Sequence, residues 1–471
     1  MSVTLSATFS RTFGDAPLVV QVSYHGTTST QTSSPFHEVG YWTEWGDEGA
    51  GTWSDTSGKS KEWDVGPVVA HVYETPGTYT VTCAGRDSDG RATTTQEITV
   101  DDPDTTFSGT NTVCLSNDTD HTGAPAGATT VDSITTIEEI ETRLNSGGAT
   151  TRILLKRGDT FSSSATGTIV NLDAADQYIG AYGTGADPIV SASGAGAVVF
   201  LAATSTASDI TVTEIDARGN DAADKFLDFD DSADIDGFTA FNIEAQGFED
   251  DPFACKGASS GDLRGQQNIS IVQCNYSTPG TTQSGFIFQI AGTHMTFMGN
   301  RGAAADNATN HCLRSGSQLY GVFAHNKLTD PDGGSAHAYK IHGRPWVSST
   351  DTSQYLHFYH NRNIASTDSG AGEIFSIGVE DDVTDQRMED VVFDGNYMIG
   401  SASAHTFDIH GIKRCTLRNN IVWSNNRASL RMCRAYRRGI EPTPDAIYFV
   451  NNVFVDEFAT TQNVLLCHSR S

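Results

Sequence analysis

The sequence predicts an all-β chain in which a small antiparallel sandwich precedes a long β-solenoid. Three observations lead to this prediction. The 471 residues exceed what one hydrophobic core usually organises. The chain contains 46 glycines and many Thr, Ser, Asn and Asp residues, a mixture that favours short strands and turns over helices. In the second half, the motif apolar-x-x-Asn recurs at intervals of 24 to 35 residues, as expected for a solenoid with one coil per repeat.

The charge and the hydrophobicity pattern exclude several classes of partner. The net charge of −29 opposes binding to nucleic acid or to an anionic membrane surface, because phosphate binding needs a concentrated cationic surface. The sequence has no run of about 18 apolar residues, so we expect no membrane span. Its eight cysteines show neither CxxC pairs nor metal-ligand spacing, and we expect buried free thiols.

Residues 1–101 alternate apolar and polar residues between turn signals, as in a sandwich of short antiparallel strands. The turn signals include Pro76–Gly77 and Asp89–Gly90. The segments EWGDEGAGTW and HVYETPGTYTV resemble the PKD family, an immunoglobulin-like module, with Trp45–Asp47 where that family usually has Phe-Gly-Asp. The resemblance implies a spacer, adhesion unit or anchor, and we assign no chemistry to this domain.

A polar linker and one short helix are predicted ahead of the solenoid. Residues 102–130 form the predicted linker, and residues 131–471 form the predicted solenoid. In SITTIEEIETRLNSGG, Thr135 and Glu138 predict a capping box for a helix near residues 134–145. The apolar stripe of this helix consists of Ile137, Ile140 and Leu144. The segments RILLKRGDTF and YIGAYGTGADPIV resemble the opening coils of right-handed parallel β-helix proteins, in which a helix commonly plugs the open end of the core.

The repeated asparagines predict a ladder along one corner of the solenoid. The motif ends at Asn275, Asn300, Asn326, Asn361, Asn396, Asn420 and Asn452. Asn tolerates the left-handed turn conformation, and stacked side-chain amides can bond from coil to coil. We therefore predict one Asn at the same corner of each three-sided coil.

A second ladder in register with the first predicts another strand of each coil. Its inward positions hold Phe288, Leu313, Tyr339, Phe375, Phe407 and Leu430. Strand alternation then points the following residues outward, and these are Gln289, Arg314, Lys340, Ser376, Asp408 and Arg431. Positions flanking this row hold His311, His337, His342, Glu373 and His410. Neighbouring coils bring members of the row within about 5 Å of one another.

The outward row predicts a site for an acidic glycan, whose carboxylates would meet the cations Arg314, Lys340 and Arg344. β-Elimination from a uronic acid needs a cation that neutralises the carboxylate and a base that reaches the adjacent C–H. We assign these roles to Lys340 and His342, with His337 as a further proton donor or acceptor. The other predicted substrate-binding residues are Tyr339, His311, Asp408, His410, Glu373 and Arg431. A polar row on a solvated sheet also needs no function, and this alternative stays open.

Hydrolysis is a second chemical alternative, and it needs two carboxylates about 5 to 9.5 Å apart. The candidate pairs are Glu373 with Asp408 and Glu380 with Asp382. The acidic segments DFDDSADIDG, GFEDD and VEDD contain oxygen ligands that suit Ca²⁺, although none has the EF-hand spacing. We interpret them as solvated loop charge, so Ca²⁺ stays an optional ligand and no cofactor is required.

Residues 131–471 resemble two groups of proteins with this fold, phage tailspike or fibre proteins and secreted polysaccharide lyases. The free thiols, the lack of a recognisable signal sequence and the uncapped last strand in NVLLCHSRS favour a virion surface protein. The resemblance then implies a polysaccharide ligand, other virion proteins as partners and a homotrimer, with or without depolymerase activity. Two alternatives stay open: a secreted polysaccharide lyase or glycoside hydrolase, and a non-catalytic adhesin.

Overall fold

The computed structural model describes most of the chain. The described residues are 3–147, 151–202, 204, 207–229, 234–255, 265–278, 286–303, 311–329, 337–342, 352–364, 374–378, 387–400, 405–424, 431–436, 445–456 and 463–468. Among these residues, no helix has the length and apolar character needed to cross a bilayer.

The N-terminal sandwich is built from ten short strands. They are β1 (Val3–Thr4), β2 (Thr8–Phe9), β3 (Phe13–Asp15), β4 (Leu18–Ser23), β5 (Thr28–Ser29), β6 (Gly40–Glu44), β7 (Trp63–Val65), β8 (Val68–Tyr73), β9 (Gly77–Arg86) and β10 (Arg91–Asp101), with helix α1 (Pro35–Glu38) after β5. One sheet has the order β3-β10-β9-β6-β7 and faces the three-stranded sheet β2-β4-β8. Trp45 and Trp53 are buried in the core, whereas Trp42 and Trp63 stack at 4.7 Å and are half-buried.

The rest of the chain coils into a 33-stranded parallel sheet. Helix α2 (Pro103–Thr106) precedes it, and helix α3 (Glu138–Gly147) lies between β12 and β13. The strands are β11 (Thr112–Leu115), β12 (Thr129–Val131), β13 (Thr151–Lys156), β14 (Thr160–Ser163), β15 (Thr168–Asn171), β16 (Gln177–Tyr182), β17 (Ile189–Ala192), β18 (Val198–Ala202), β19 (Ser208–Arg218), β20 (Lys225–Phe229), β21 (Asp236–Gln246), β22 (Phe253–Cys255), β23 (Gln267–Val272), β24 (Asn275–Thr278), β25 (Phe288–Thr293), β26 (Thr296–Met298), β27 (Arg301–Ala303), β28 (Leu313–Leu319), β29 (Val322–Ala324), β30 (Lys327–Thr329), β31 (Tyr339–His342), β32 (Thr352–Tyr359), β33 (Arg362–Ile364), β34 (Phe375–Gly378), β35 (Arg387–Asp394), β36 (Tyr397–Gly400), β37 (His405–His410), β38 (Ile412–Arg418), β39 (Ile421–Ser424), β40 (Arg431–Tyr436), β41 (Asp445–Val450), β42 (Val453–Asp456) and β43 (Asn463–His468).

Strand pairing divides the solenoid into three faces around one continuous apolar core. Face A contains β11, β13, β16, β19, β21, β23, β26, β29, β32, β35, β38 and β41. Face B contains β14, β17, the second halves of β19 and β21, and β24, β27, β30, β33, β36, β39 and β42. Face C contains β15, β18, β20, β22, β25, β28, β31, β34, β37, β40 and β43. Each strand pairs with its counterpart one coil away, so the interior is linear rather than globular.

The solenoid begins earlier in the chain than the sequence predicted. Strands β11 and β12 lie mainly within the predicted linker 102–130, yet β11 pairs with β12 and with β13 of the solenoid. Helix α3 begins at Glu138, and its predicted apolar stripe is buried in the solenoid core. The Glu138 carboxylate accepts a hydrogen bond from the Ser163 hydroxyl, so it fixes the helix to β14.

The asparagine ladder is confirmed at the corner between faces A and B. The backbone N–H of Asn326 donates to Oδ1 of Asn361 at 3.0 Å, and that of Asn361 donates to Asn396 at the same distance. The Nδ2 group of Asn361 also donates to the Phe323 carbonyl at 2.8 Å. The same pattern links Asn300, Asn326, Asn361, Asn396, Asn420 and Asn452. The ladder therefore satisfies buried backbone groups where each coil turns.

Two details of the predicted ladder are corrected. The first rung is Cys274, whose N–H donates to Asn300 at 2.8 Å, whereas Asn275 pairs with Arg301 and binds Glu244. The left-handed residue is the one before each rung, for example His325 with a φ of 55°. The Asn side chain thus serves the ladder, and its predecessor makes the turn.

The sandwich packs directly against the outward side of face A. The two domains share one hydrophobic cluster, to which the solenoid contributes Phe241, Val272, Met298, Val322, Ala324, Tyr359 and Val392. Polar contacts surround this cluster. The Gln21 amide donates to the Met295 carbonyl at 2.6 Å, and a His357 ring nitrogen lies 2.7 Å from the Val68 carbonyl. The sandwich is therefore a covering layer of the solenoid.

Replacing a central rung should destabilise the solenoid. Asn361→Ala removes the acceptor of Asn326 and of the buried Tyr339 hydroxyl, so we expect a loss of about 3 kcal/mol in the free energy of unfolding. Urea unfolding followed by circular dichroism measures this loss. The control Asn111→Ala, at an exposed position, should change stability by less than about 0.5 kcal/mol. Equal losses in the two variants would contradict the role of the ladder.

Acid should weaken the structure through the buried histidine at the domain junction. Burial is the main cause that lowers the pKa of His357 to about 3. A histidine in the unfolded chain has a pKa of about 6.5. The neutral His357 side chain therefore makes its full contribution to the free energy of unfolding above about pH 6.5. This contribution declines as the pH falls towards about 3, by up to about 1.4 kcal/mol per pH unit. Melting temperatures measured across this range should fall more steeply for the wild type than for His357→Gln. Identical slopes would argue against this assignment.

Candidate functional site

Face C carries the predicted outward row in the predicted register over five coils. Strand pairing joins Gln289 to Arg314, Arg314 to Lys340, Lys340 to Ser376 and Ser376 to Asp408. The inward partners of these residues follow the same order in the core. One column of outward side chains therefore runs along the solenoid axis, with about 4.8 Å between successive members.

The predicted register is corrected at the next coil. Cys433, not Leu430, pairs with Phe407, so Arg434 follows Asp408 in the row. Arg431 stands three residues before Arg434 in β40, and it pairs with His405. The segment RMCRAY has an Arg at position 431 and another at position 434. Either one could follow Asp408 in the outward row, so strand alternation alone could not distinguish the two registers.

A second column, two residues further along the strands, alternates histidine and glycine. Gly316 pairs with His342, His342 with Gly378, and Gly378 with His410. A Cβ atom at position 378 would lie 2.1 Å from the His410 carbonyl oxygen and 2.8 Å from its ring. The glycine therefore provides the space that His410 occupies.

These outward side chains are buried, although they point away from the core. The exposed fraction is 8% for Gln289, 6% for His342, 4% for Asp408 and 2% for His410. Arg314 and Lys340 are half-buried. The row is therefore not a fully solvated sheet surface, and burying so many polar groups requires compensating contacts. We call it the polar groove, formed by Gln289, Arg314, Lys340, His342, Ser376, Asp408 and His410.

A stack of rings borders the groove. The rings of His311 and His337 lie parallel at 4.7 Å, and Phe286 stacks on His311 at 5.3 Å. The Arg314 guanidinium lies 4.9 Å from the Phe286 ring centroid. The His337 backbone N–H donates to Nδ1 of His311 at 3.0 Å, which fixes this nitrogen as an acceptor. Phe286 was not predicted as a site residue, although it stands three residues before Gln289, as His311 stands before Arg314.

Burial and the neighbouring cations lower the pKa values of two histidines at the groove. Burial is the main cause of the lowering of the His311 pKa to about 2, and His337, Lys340 and Arg314 contribute in that order. Burial, then Lys340 and Arg314, hold the pKa of His342 well below its usual range. The Lys340 ammonium donates to the Ser376 hydroxyl at 2.9 Å. The groove thus combines fixed positive charge with unprotonated imidazole at neutral pH.

Several predicted site residues are not part of the groove as described. Tyr339 is a core residue, because its hydroxyl donates to Asn361 at 3.1 Å and its ring stacks on Phe375 at 4.5 Å. This placement corrects its predicted contact with substrate. Arg344, Glu373, Glu380 and Asp382 lie outside the described residues. For Arg431 the structure describes the backbone alone.

The described parts of the predicted calcium segments are engaged in protein contacts. Asp228 forms an ion pair with Lys225 at 3.0 Å. Asp251 accepts a hydrogen bond from the Phe286 backbone N–H. Within the described residues, neither segment brings together three side chains with metal-ligand geometry. Ca²⁺ stays an optional ligand of these segments, which we interpret as loop charge.

Comparisons with known proteins give one family match and several similar solved structures. The PKD domain family matches residues 17–100. The Agl-KA catalytic domain covers 99% of this chain and 96% of its own length, at 11% identity and a TM-score of 0.35. The catalytic domain of a GH87 alpha-1,3-glucanase with nigerose covers 98% and 91%, at 12% identity and a TM-score of 0.36. The A-module of the mannuronan C-5 epimerase AlgE4 of Azotobacter vinelandii covers 69% and 93%, at 9% identity and a TM-score of 0.26.

A search of the curated proteins found no match to the chain. The family match agrees with the strand arrangement of the sandwich, and the parallel pairing continues from Thr112 to His468. Residues 17–100 are therefore a PKD domain, and it precedes and packs against a parallel β-solenoid.

Proposed function

We propose that the chain binds an acidic polysaccharide in the polar groove and cleaves it by β-elimination. The observation that carries this proposal is the position of two half-buried cations beside a buried, unprotonated histidine on face C. Cations held in this way on adjacent coils suit an anionic ligand, because charge-assisted hydrogen bonds to carboxylates are strong. The stacked rings of Phe286, His311 and His337 form one border of the groove.

The groove supplies the two groups that elimination requires. Arg314 and Lys340, on adjacent coils, would neutralise the uronate carboxylate, and the C–H next to that carboxylate then becomes acidic. His342 is two residues from Lys340 on the same strand and would take this proton. The electron pair forms the C=C bond and the glycosidic C–O bond breaks. The leaving oxygen takes a proton, for which His337 is the candidate donor.

The biological setting is a separate proposal, a virion surface protein that reaches its glycan on a host or in the surroundings. The cysteines whose side chains are described are buried thiols, which supports assembly without an oxidising compartment. Contact with further subunits or virion proteins is supported by exposed apolar side chains on the last coils: Ile421, Tyr448, Val450, Val453 and Val455. A secreted polysaccharide lyase with the same groove is the alternative setting.

A panel of acidic and neutral polysaccharides tests the chemistry. We expect the wild type to produce the absorbance of unsaturated uronate and new reducing ends together on an acidic glycan. Lys340→Ala and His342→Gln should each lower this rate by at least about 100-fold, because they remove the cation and the base. The control Lys413→Ala changes an exposed lysine outside the groove and should retain wild-type activity.

The same panel separates the alternatives. New reducing ends without unsaturated product would indicate hydrolysis and overturn the elimination step. Glycan binding without any product, lost in Arg314→Ala, would identify a non-catalytic adhesin. The absence of both binding and cleavage on every acidic glycan would overturn the proposed function.

A further inference from the structure

A histidine pair and an aspartate meet where the PKD domain covers the solenoid. Asp64 lies on β7 of the PKD domain, and His325 and His360 precede the ladder residues of two adjacent coils. One ligand atom from each of the three side chains lies within 4.8 Å of the other two. Nε2 of His325 lies 3.4 Å from Oδ1 of Asp64. Within the described residues, this is the one group of three or more such side chains.

Each side chain is oriented by a second contact. Nδ1 of His325 lies 2.8 Å from the Ser57 hydroxyl, which leaves Nε2 directed at Asp64. Trp45 donates to Oδ2 of Asp64 at 2.9 Å, which leaves Oδ1 directed at His325. Metal-binding histidines and carboxylates are commonly held by such outer contacts. Nδ1 of His360 is buried and has no hydrogen-bond partner among the described residues.

Glycines on both sides make room for this cluster. Gly299 and Gly395 occupy the same left-handed corner position one coil before His325 and one coil after His360. A Cβ at position 299 would lie 2.4 Å from Trp53, which stacks on His325 at 5.0 Å. A Cβ at position 395 would lie 2.9 Å from the His360 ring. The corner column therefore carries imidazoles only at the two coils that face Asp64.

The electrostatics of the cluster favour a bound cation. Asp64 is a buried carboxylate that accepts a hydrogen bond from Trp45. Two cations, Lys59 and Lys61, lie near His325, and the Lys61 ammonium is ion-paired with Glu74 at 2.6 Å. An ion that binds two neutral imidazoles and one carboxylate would offset the desolvation of Asp64.

We infer that Asp64, His325 and His360 form a transition-metal site that joins the PKD domain to the solenoid, and that Zn²⁺ is the ion it fits best. Two imidazole nitrogens and one carboxylate oxygen are a common Zn²⁺ ligand set, with a fourth position left for water. Metal–ligand bonds of about 2.0 to 2.1 Å place tetrahedral ligand atoms about 3.3 Å apart. The Asp64–His325 pair already has this separation.

Metal titration of the untagged full-length protein tests the inference. After removal of metal with a chelator, the wild type should bind one Co²⁺ per chain with the visible bands of tetrahedral coordination, and Zn²⁺ should displace it. Zn²⁺ should also raise the melting temperature, because it binds the docked state alone. A wild type that binds no Co²⁺ or Zn²⁺ overturns the inference without any variant.

Variants assign the ligands. His360→Ala and Asp64→Asn should each weaken Co²⁺ binding by at least about 100-fold and abolish the rise in melting temperature. The matched control is His294→Ala, which removes a half-exposed histidine at another left-handed corner, outside the cluster. It should bind Co²⁺ as the wild type does. Unchanged binding in a folded His360→Ala or Asp64→Asn, or equal loss in His294→Ala, overturns the assignment.

Discussion

The stacking of one coil on the next depends on the buried asparagine ladder between faces A and B. A chain that turns three times per coil must satisfy backbone N–H groups against an apolar interior, and each unsatisfied group costs about 1 to 3 kcal/mol. Asn361 meets this requirement in both directions, since it accepts from Asn326 and donates to Asn396. The ladder fixes the register to one residue, and a slip by one residue would turn the groove side chains of face C into the core.

Structural features that recur from coil to coil of the solenoid were predictable from the sequence. Features that occur in a single coil were not. The inward positions and most rungs recur often enough to fix their alignment. The first rung was misplaced because Cys274 and Asn275 are neighbours and only the residue type pointed to Asn275. Strands β11 and β12 contain only four and three residues, too few to show a period, so they were read as linker.

The sequence contains a signal of the docked PKD domain, but a search for alternating apolar and polar residues does not detect it. Strands of face A are apolar on both sides, as in the run VVF from Val391 to Phe393, which is the pattern of a strand covered on both faces. The partner of such a strand cannot be deduced from the run itself. For the same reason, the sequence could not predict the cluster of Asp64, His325 and His360. The motifs FAHN and FYHN contain the two histidines, but Asp64 comes from a strand about 260 residues before His325 in the chain.

Histidines on the two flanks of the solenoid differ in the charges of their neighbours. On face C, His342 lies among cations, which disfavour both its own protonation and the approach of a metal ion. Its lone pair is therefore suited to accept a proton from a ligand whose negative charge the cations attract. At the covered corner, His325 and His360 face a buried carboxylate, which favours a cation between them. The sign of the nearest fixed charge, rather than the burial, thus decides which chemistry a buried imidazole can support.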